Sequence, residues 1–279
     1  IAIVIGASNV TRCLGPVVSA ALEACGGRVD LRLVAGRGRS FGATSRVFLR
    51  TLPSIEASSL WSEVDDECAN NSGGVSARHA LITDIGNDIM YGHAPATILE
   101  WVDRAAQRCR TAGAELTISR LPMERLRRMS TLPYEVVRYA FFWGSPTFPL
   151  TEAIERAVAV DAGLERLATR HGATLVTPAA EWYGIDPIHI RLSKASAAWR
   201  ALLTPWAGDA SALERRLADG SPDGSPDRPV PRFAMLAAHV KLTCALPASA
   251  CVAGIGFGDA TRPARPMEFF GGRAVVRMY

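Results

Sequence analysis

The stretch Ile1-Ala2-Ile3-Val4-Ile5-Gly6-Ala7-Ser8-Asn9-Val10-Thr11 decides how the chain reads. Five apolar residues end at Gly6, and a serine follows two residues later. From Val10 to Cys25 the apolar spacing turns helical. Strand, tight turn, hydroxyl and helix start are together a way to present a nucleophile. The strand fixes the turn, the glycine permits a sharp backbone path, and the first helical turn carries unpaired N–H groups. Taken alone, Ser8 reads as a helix cap, the commoner fate of a serine after such a turn. The downstream residues decide between the two.

Outward from this start, Val29–Ala35 alternates and ends at Gly36, a second strand. Gly36–Gly42 is a glycine-rich loop, and Ala43–Leu52 has the spacing of a short helix. Positions 54–76 are polar and acidic, a surface excursion. His79–Ile85 is a third strand, apolar enough to be covered on both faces, and opens into Gly86-Asn87-Asp88. Pro95–Ala112 carries Ile98, Val102, Ala105, Ala106 and Cys109 on one helical stripe. Ala114–Ser119 is a fourth strand. Arg120–Pro149 reads as irregular, with an aromatic patch at Tyr139, Phe141, Phe142 and Trp143. Thr151–Gly172 is a long helix, Ala173–Thr177 a fifth strand, and Ser193–Leu203 a last helix.

This alternation predicts an α/β three-layer sandwich around a five-stranded parallel sheet of the flavodoxin-like kind. Ligands bind such sheets outside the carboxyl ends of the strands. Residues 1–206 are expected to form that domain. Residues 207–279 are expected to be a linker and C-terminal extension of unknown role. The extension has a Pro/Gly/Ser-rich run at 219–231 and strand-like runs at 233–251 and 274–279.

The composition narrows the function classes. Of the 279 residues, 48% are hydrophobic, enough for a large core, yet no run approaches the ~20 apolar residues of a membrane span. The net charge is +4, and only Lys194 and Lys241 are lysines. No basic cluster interleaved with aromatics points to nucleic acid. The cysteines are Cys13, Cys25, Cys68, Cys109, Cys244 and Cys251, without C-x-x-C or zinc-like spacing. They favour reduced thiols in a cytoplasmic compartment, with a Cys244–Cys251 hairpin bridge as the alternative. The chain opens inside a strand, which leaves a removed leader, and a secreted or periplasmic home, open.

Asp186-Pro187-Ile188-His189 lies in a loop before the last helix. A carboxylate three residues before a histidine can bond one imidazole nitrogen and leave the other as a general base. Asn87, at a strand end, reads either as a turn or cap residue or as an oxyanion donor. Gly42, with Gly38 as the fallback, would add a backbone N–H. Arg12, Arg37 and Arg39 read as solvated or as facing an anionic group. The aromatic patch reads as an acyl or sugar pocket, or as packing beneath its loop.

The order of these signals resembles the SGNH, or GDSL-like, hydrolase family. Its four blocks match Gly6-Ala7-Ser8-Asn9, Gly42-Ala43-Thr44-Ser45, Gly86-Asn87-Asp88 and Asp186-Pro187-Ile188-His189. Ala7 stands where the family has Asp, and the glycine of the third block directly precedes Asn87. The resemblance implies Ser8 as nucleophile, His189 as base and acid, and Asp186 orienting His189. It implies an oxyanion hole of Ser8 N–H, Gly42 N–H and the Asn87 side chain. It further implies hydrolysis of a small-acyl or carbohydrate ester with no cofactor and no metal. The alternatives are acyl transfer on the same triad, or a catalytically silent binding domain. Neither the acyl group, the alcohol nor the oligomeric state is implied.

Overall fold

The structure, a computed structural model, describes residues 1–47, 50–70, 79–208, 234–235, 237–238 and 266–279. Strand β1, Ala2–Ile5, is wholly buried. Ala2 and Val4 join one core layer, Ile3 and Ile5 the other. That period of two places the strand at the centre of a sheet covered on both faces. Helices α1 (Ser8–Arg12) and α2 (Leu14–Ala24) follow, where the sequence suggests one continuous helix. The break falls at Cys13 because Pro16 has no N–H and its ring would meet the Arg12 carbonyl.

Strand β2 spans Val29–Val34. The helix expected over Ala43–Leu52 is instead an antiparallel pair, β3 (Ser45–Val47) and β4 (Arg50–Leu52). Val47 and Thr51, both β-branched, suit an extended chain better than a helix. The expected polar excursion contains α3, Leu60–Asn70, which buries Leu60, Trp61 and Val64 on one side. Then come β5 (His79–Ile82), α4 (Asn87–Met90), α5 (Pro95–Thr111) and β6 (Glu115–Ser119). The stretch read as irregular holds α6 (Met123–Arg127) and α7 (Thr131–Phe141). Helix α8 (Leu150–His171) ends at Gly172 in the left-handed conformation (φ 58°), a glycine stop. Strand β7 (Thr174–Val176), α9 (Ala195–Leu203), β8 (Met267–Phe269) and β9 (Ala274–Met278) complete the described elements.

The main sheet runs β7-β6-β5-β1-β2-β9-β8. The five strands β7-β6-β5-β1-β2 are parallel, as the alternation predicts. The five-strand count is corrected to seven: β9 lies parallel to β2 and β8 antiparallel at the edge. Strand β2 would otherwise present a row of unpaired backbone groups. Strand β9 fills them, buries Ala274, Val276 and Met278, and sets Arg277 against Asp30 at 2.5 Å. No β-α-β rhythm announces a strand so far down the chain. The expected linker at 219–231, Cys244 and Cys251 lie outside the described residues. The described pieces of the 233–251 run, 234–235 and 237–238, are helical rather than extended.

Helices α2 and α9 cover one face of the sheet with β9's apolar residues, and α3, α5 and α8 cover the other. Gly163 lets α8 approach α5: a Cβ there would sit 2.1 Å from Leu99. No helix among the described residues is long and apolar enough to cross a membrane.

Candidate active site

The chain leaves β1 toward β2 on one side, while β5 pairs on the other. That reversal of strand order opens a crevice at the strand ends. Ser8 follows β1 and Asp84–Asn87 follow β5, so neighbouring strands deliver both to this crevice. Gly6 is required by space: a Cβ would meet Val10 Cγ2 at 2.6 Å and Thr83 Cγ2 at 2.9 Å.

Asp84, in the left-handed region (φ 59°), folds its carboxylate over the serine turn. Its Oδ2 accepts from the N–H of Ala7 and of Asn9 at 2.9 Å, and of Val10 at 3.4 Å. Ser8 contributes the one amide of residues 7–10 that this carboxylate does not take. A carboxylate thus reaches the turn from the adjacent strand end, although position 7 is alanine. Asn9 makes a second brace. Its Nδ2 donates to Asp84 Oδ1 at 2.7 Å and to the Ile188 carbonyl at 3.0 Å, and its Oδ1 accepts the Ile190 N–H at 2.8 Å. The two residues flanking His189 are therefore pinned to the residue after Ser8. Sequence reasoning gave Asn9 and Asp84 no role. Asn9 carried a signal, standing beside the serine; Asp84 carried none, because its partners lie 74–77 positions away.

The Asp186–His189 pair is formed. His189 Nδ1 lies 2.5 Å from Asp186 Oδ2, and Asp186 Oδ1 accepts the N–H groups of Ile188 (3.0 Å) and His189 (3.2 Å). Burial by itself would raise the Asp186 carboxyl. The hydrogen bond and charge of His189, with the two backbone N–H groups, outweigh it and hold the carboxyl below its usual range. The imidazole is 6% exposed, and the Phe141 ring meets it edge-on at 5.4 Å. No hydrogen bond joins Ser8 to His189 in this arrangement, a link that commonly tightens only around substrate.

Asn87 opens α4 but caps nothing; the capping position is Gly86. Its Nδ2 is buried with no hydrogen-bond partner, and the residue lines the same cavity as Ser8. An orphaned buried donor costs about 1–3 kcal/mol, which an incoming oxygen would recover.

No protein-family model matches the chain, and no curated protein sequence does. Among solved structures it is similar to TesA, at 15% identity, covering 74% of this chain and 98% of that one with a TM-score of 0.44. It is also similar to an M. smegmatis aryl esterase, at 12% identity, 78% and 98% coverage and a TM-score of 0.47. A third is a member of the lipolytic G-D-S-L family from Veillonella parvula, at 11% identity, 74% and 95% coverage and a TM-score of 0.40. The chain resembles the SGNH hydrolases. Ser8, Asn87 and Ile188, from three of the SGNH-like blocks, line one cavity; Asp186 and His189 lie beside Ile188 and do not line it themselves.

The second SGNH-like block stands apart. Neither Gly42 nor Gly38 lines the cavity that Ser8 and Asn87 share. Gly42 makes room for Trp101, whose indole would lie 2.1 Å from a Cβ there. Gly38 (φ +70°) turns its carbonyl to the Tyr91 hydroxyl at 2.6 Å. Arg39 is neither solvated nor aimed at a ligand. It is buried, and its guanidinium donates to the carbonyls of Pro53 (2.9 Å), Tyr279 (2.8 Å), Ser54 (3.1 Å) and Ala35 (3.4 Å). Arg37 is exposed and Arg12 half-buried. The aromatic patch divides. Phe142 lines the cavity, Phe141 meets His189, and Tyr139 and Trp143 are exposed.

Asp88 fastens the glycine loop to the third block: its Oδ2 accepts the Phe41 N–H at 3.0 Å, and its Oδ1 is buried without a partner. Burial raises its carboxyl from 3.8 to about 6, against the opposing pull of Ser40 and the Phe41 N–H. The folded state therefore holds this proton more tightly than the unfolded chain. Stability from this group is complete at pH below about 4 and is lost as pH rises to about 6, by up to about 3 kcal/mol. We expect the Asp88→Asn variant to gain on wild type by that order between pH 4 and pH 7 in urea unfolding. Parallel stability profiles would show that Asp88 is not a strained carboxylate.

Proposed function

We propose that the protein hydrolyses a carboxylic ester through an acyl-enzyme on Ser8. The observation that carries this reading is the Asn9 brace, which holds the hydrogen-bonded Asp186–His189 pair beside the serine turn. The orphaned Asn87 amide in the same cavity supports it.

The chemistry then runs as follows. Ser8 Oγ bonds to the ester carbonyl carbon while its proton passes to His189 Nε2. Asp186 holds the imidazole by Nδ1 and stabilises the imidazolium. The developing oxyanion takes the free Ser8 N–H and the Asn87 amide; Gly42, or Gly38, would supply a third donor by movement of its loop. The carbon–oxygen bond to the alcohol breaks, and the alcohol leaves with the proton from His189. Water then gives a proton to His189, its oxygen bonds to the acyl carbon, and Ser8 departs with that proton, releasing the acid.

A fluorophosphonate probe tests the nucleophile directly. One adduct per chain is expected, on Ser8 by peptide mapping, and slowed when His189 is replaced by Ala. Labelling elsewhere, or no labelling of a folded protein, would leave a silent binding domain as the better reading.

A further inference from the structure

The cavity beginning at Ser8 and Asn87 continues past β6 to the walls formed by α6, α7 and the first turns of α8. We propose that it holds an unbranched aliphatic acyl chain longer than acetyl, so that the substrate is a fatty acyl ester. This rests on the reading of Ser8 as the nucleophile.

The argument is one of polar accounting. Leu126, Met129, Val137, Phe142, Ile154 and Ala157 supply apolar wall. The polar residues deeper in are already engaged. The Tyr134 hydroxyl donates to the Phe148 carbonyl at 2.8 Å, so only its ring faces the space. The Arg120 guanidinium is held by Asp161 at 2.6 and 3.1 Å, and the Ser119 hydroxyl donates to the Arg120 carbonyl at 3.2 Å. A buried unpaired donor on this wall, Asn87 Nδ2, stands at the Ser8 end. A sugar here would leave several hydroxyls without partners, a cost that an alkyl chain avoids. An acyl group with its carbonyl at Ser8 and its tail inward fits both ends.

Size bears on the length. The cavity holds about 90 Å³. That is several times the 10–15 Å³ that admits a single water, so there is room for more than the methyl of an acetyl group. That favours a longer chain than the small acyl group suggested by resemblance alone.

The experiment is a series of p-nitrophenyl esters from acetate to laurate, with kcat/KM measured on the full chain. The value is expected to climb at least tenfold from acetate to octanoate, each buried methylene adding at most about three- to fourfold. Ala157→Leu and Val137→Phe shrink the cavity and should each lower the octanoate-to-acetate ratio at least tenfold. A maximum at acetate, or equal losses on every ester in both variants, overturns the proposal. Calorimetric titration of Ser8→Ala with sodium octanoate and sodium acetate reads the chain site without any chemistry. Octanoate should bind at least tenfold tighter, and equal binding also overturns it. If no ester is cleaved and octanoate still binds, the hydrolase reading falls and the chain site stands. Cleavage without dependence on length gives the reverse.

Discussion

Replacing Ser8 with Ala lowers kcat on a cleavable p-nitrophenyl ester by about 10⁴-fold or more, because the Asp186–His189 pair is braced beside the turn that carries this hydroxyl. The residue that remains should not be zero, since donors that bind the oxyanion still assist attack by water. The fold should survive. The Ser8 hydroxyl makes no hydrogen bond among the described residues, and the turn is held by Asp84 and Asn9 instead. An unchanged far-UV spectrum and melting temperature, with activity gone, is the expected pair of readings. Retained turnover would remove Ser8 from the mechanism, and the Asp186–His189 pair would then need another nucleophile.

Asn87→Ala lowers kcat by about 10²–10³, the usual loss for one oxyanion donor, and leaves KM nearly unchanged. The split matters because the donor acts on charge that exists only in the transition state. Stability gives an independent reading. The amide is buried and unpartnered, so its removal breaks no hydrogen bond and relieves a desolvated donor. The variant should melt at the wild-type temperature or above it. A rise in KM with kcat intact would make Asn87 a ground-state contact. A fall in stability would mean that the amide is engaged in packing that the cavity geometry does not explain.

The acyl-chain selectivity and the Asn87 role proposed above are tied by the shape of the cavity. One end offers a buried orphaned donor beside the serine, and the other offers apolar wall. A substrate anchored by its tail presents its carbonyl at the polar end, so binding energy from the chain orients the reacting atoms.

Local pattern determined much of the architecture. The apolar runs at Ile1–Ile5 and His79–Ile82 have no polar face, so they had to be central parallel strands. The helices between them follow from their apolar stripes. The motif residues Ser8, Asn87, Asp186 and His189 were legible because each sits at a strand end or turn with an unusual neighbour. Tertiary structure alone decided the rest. Strand β9 enters the sheet because β2 needs a partner, which no local spacing records. Arg39 is buried because four carbonyls, from Ala35, Pro53, Ser54 and the distant Tyr279, converge on it, where charge alone suggested a solvated or anion-facing side chain. Asp84 and Asn9 brace the serine turn and the histidine loop through bonds spanning 74 to 181 positions. Such contacts depend on where the sheet brings its strand ends, and a one-dimensional pattern carries no distance between residues that meet only after folding.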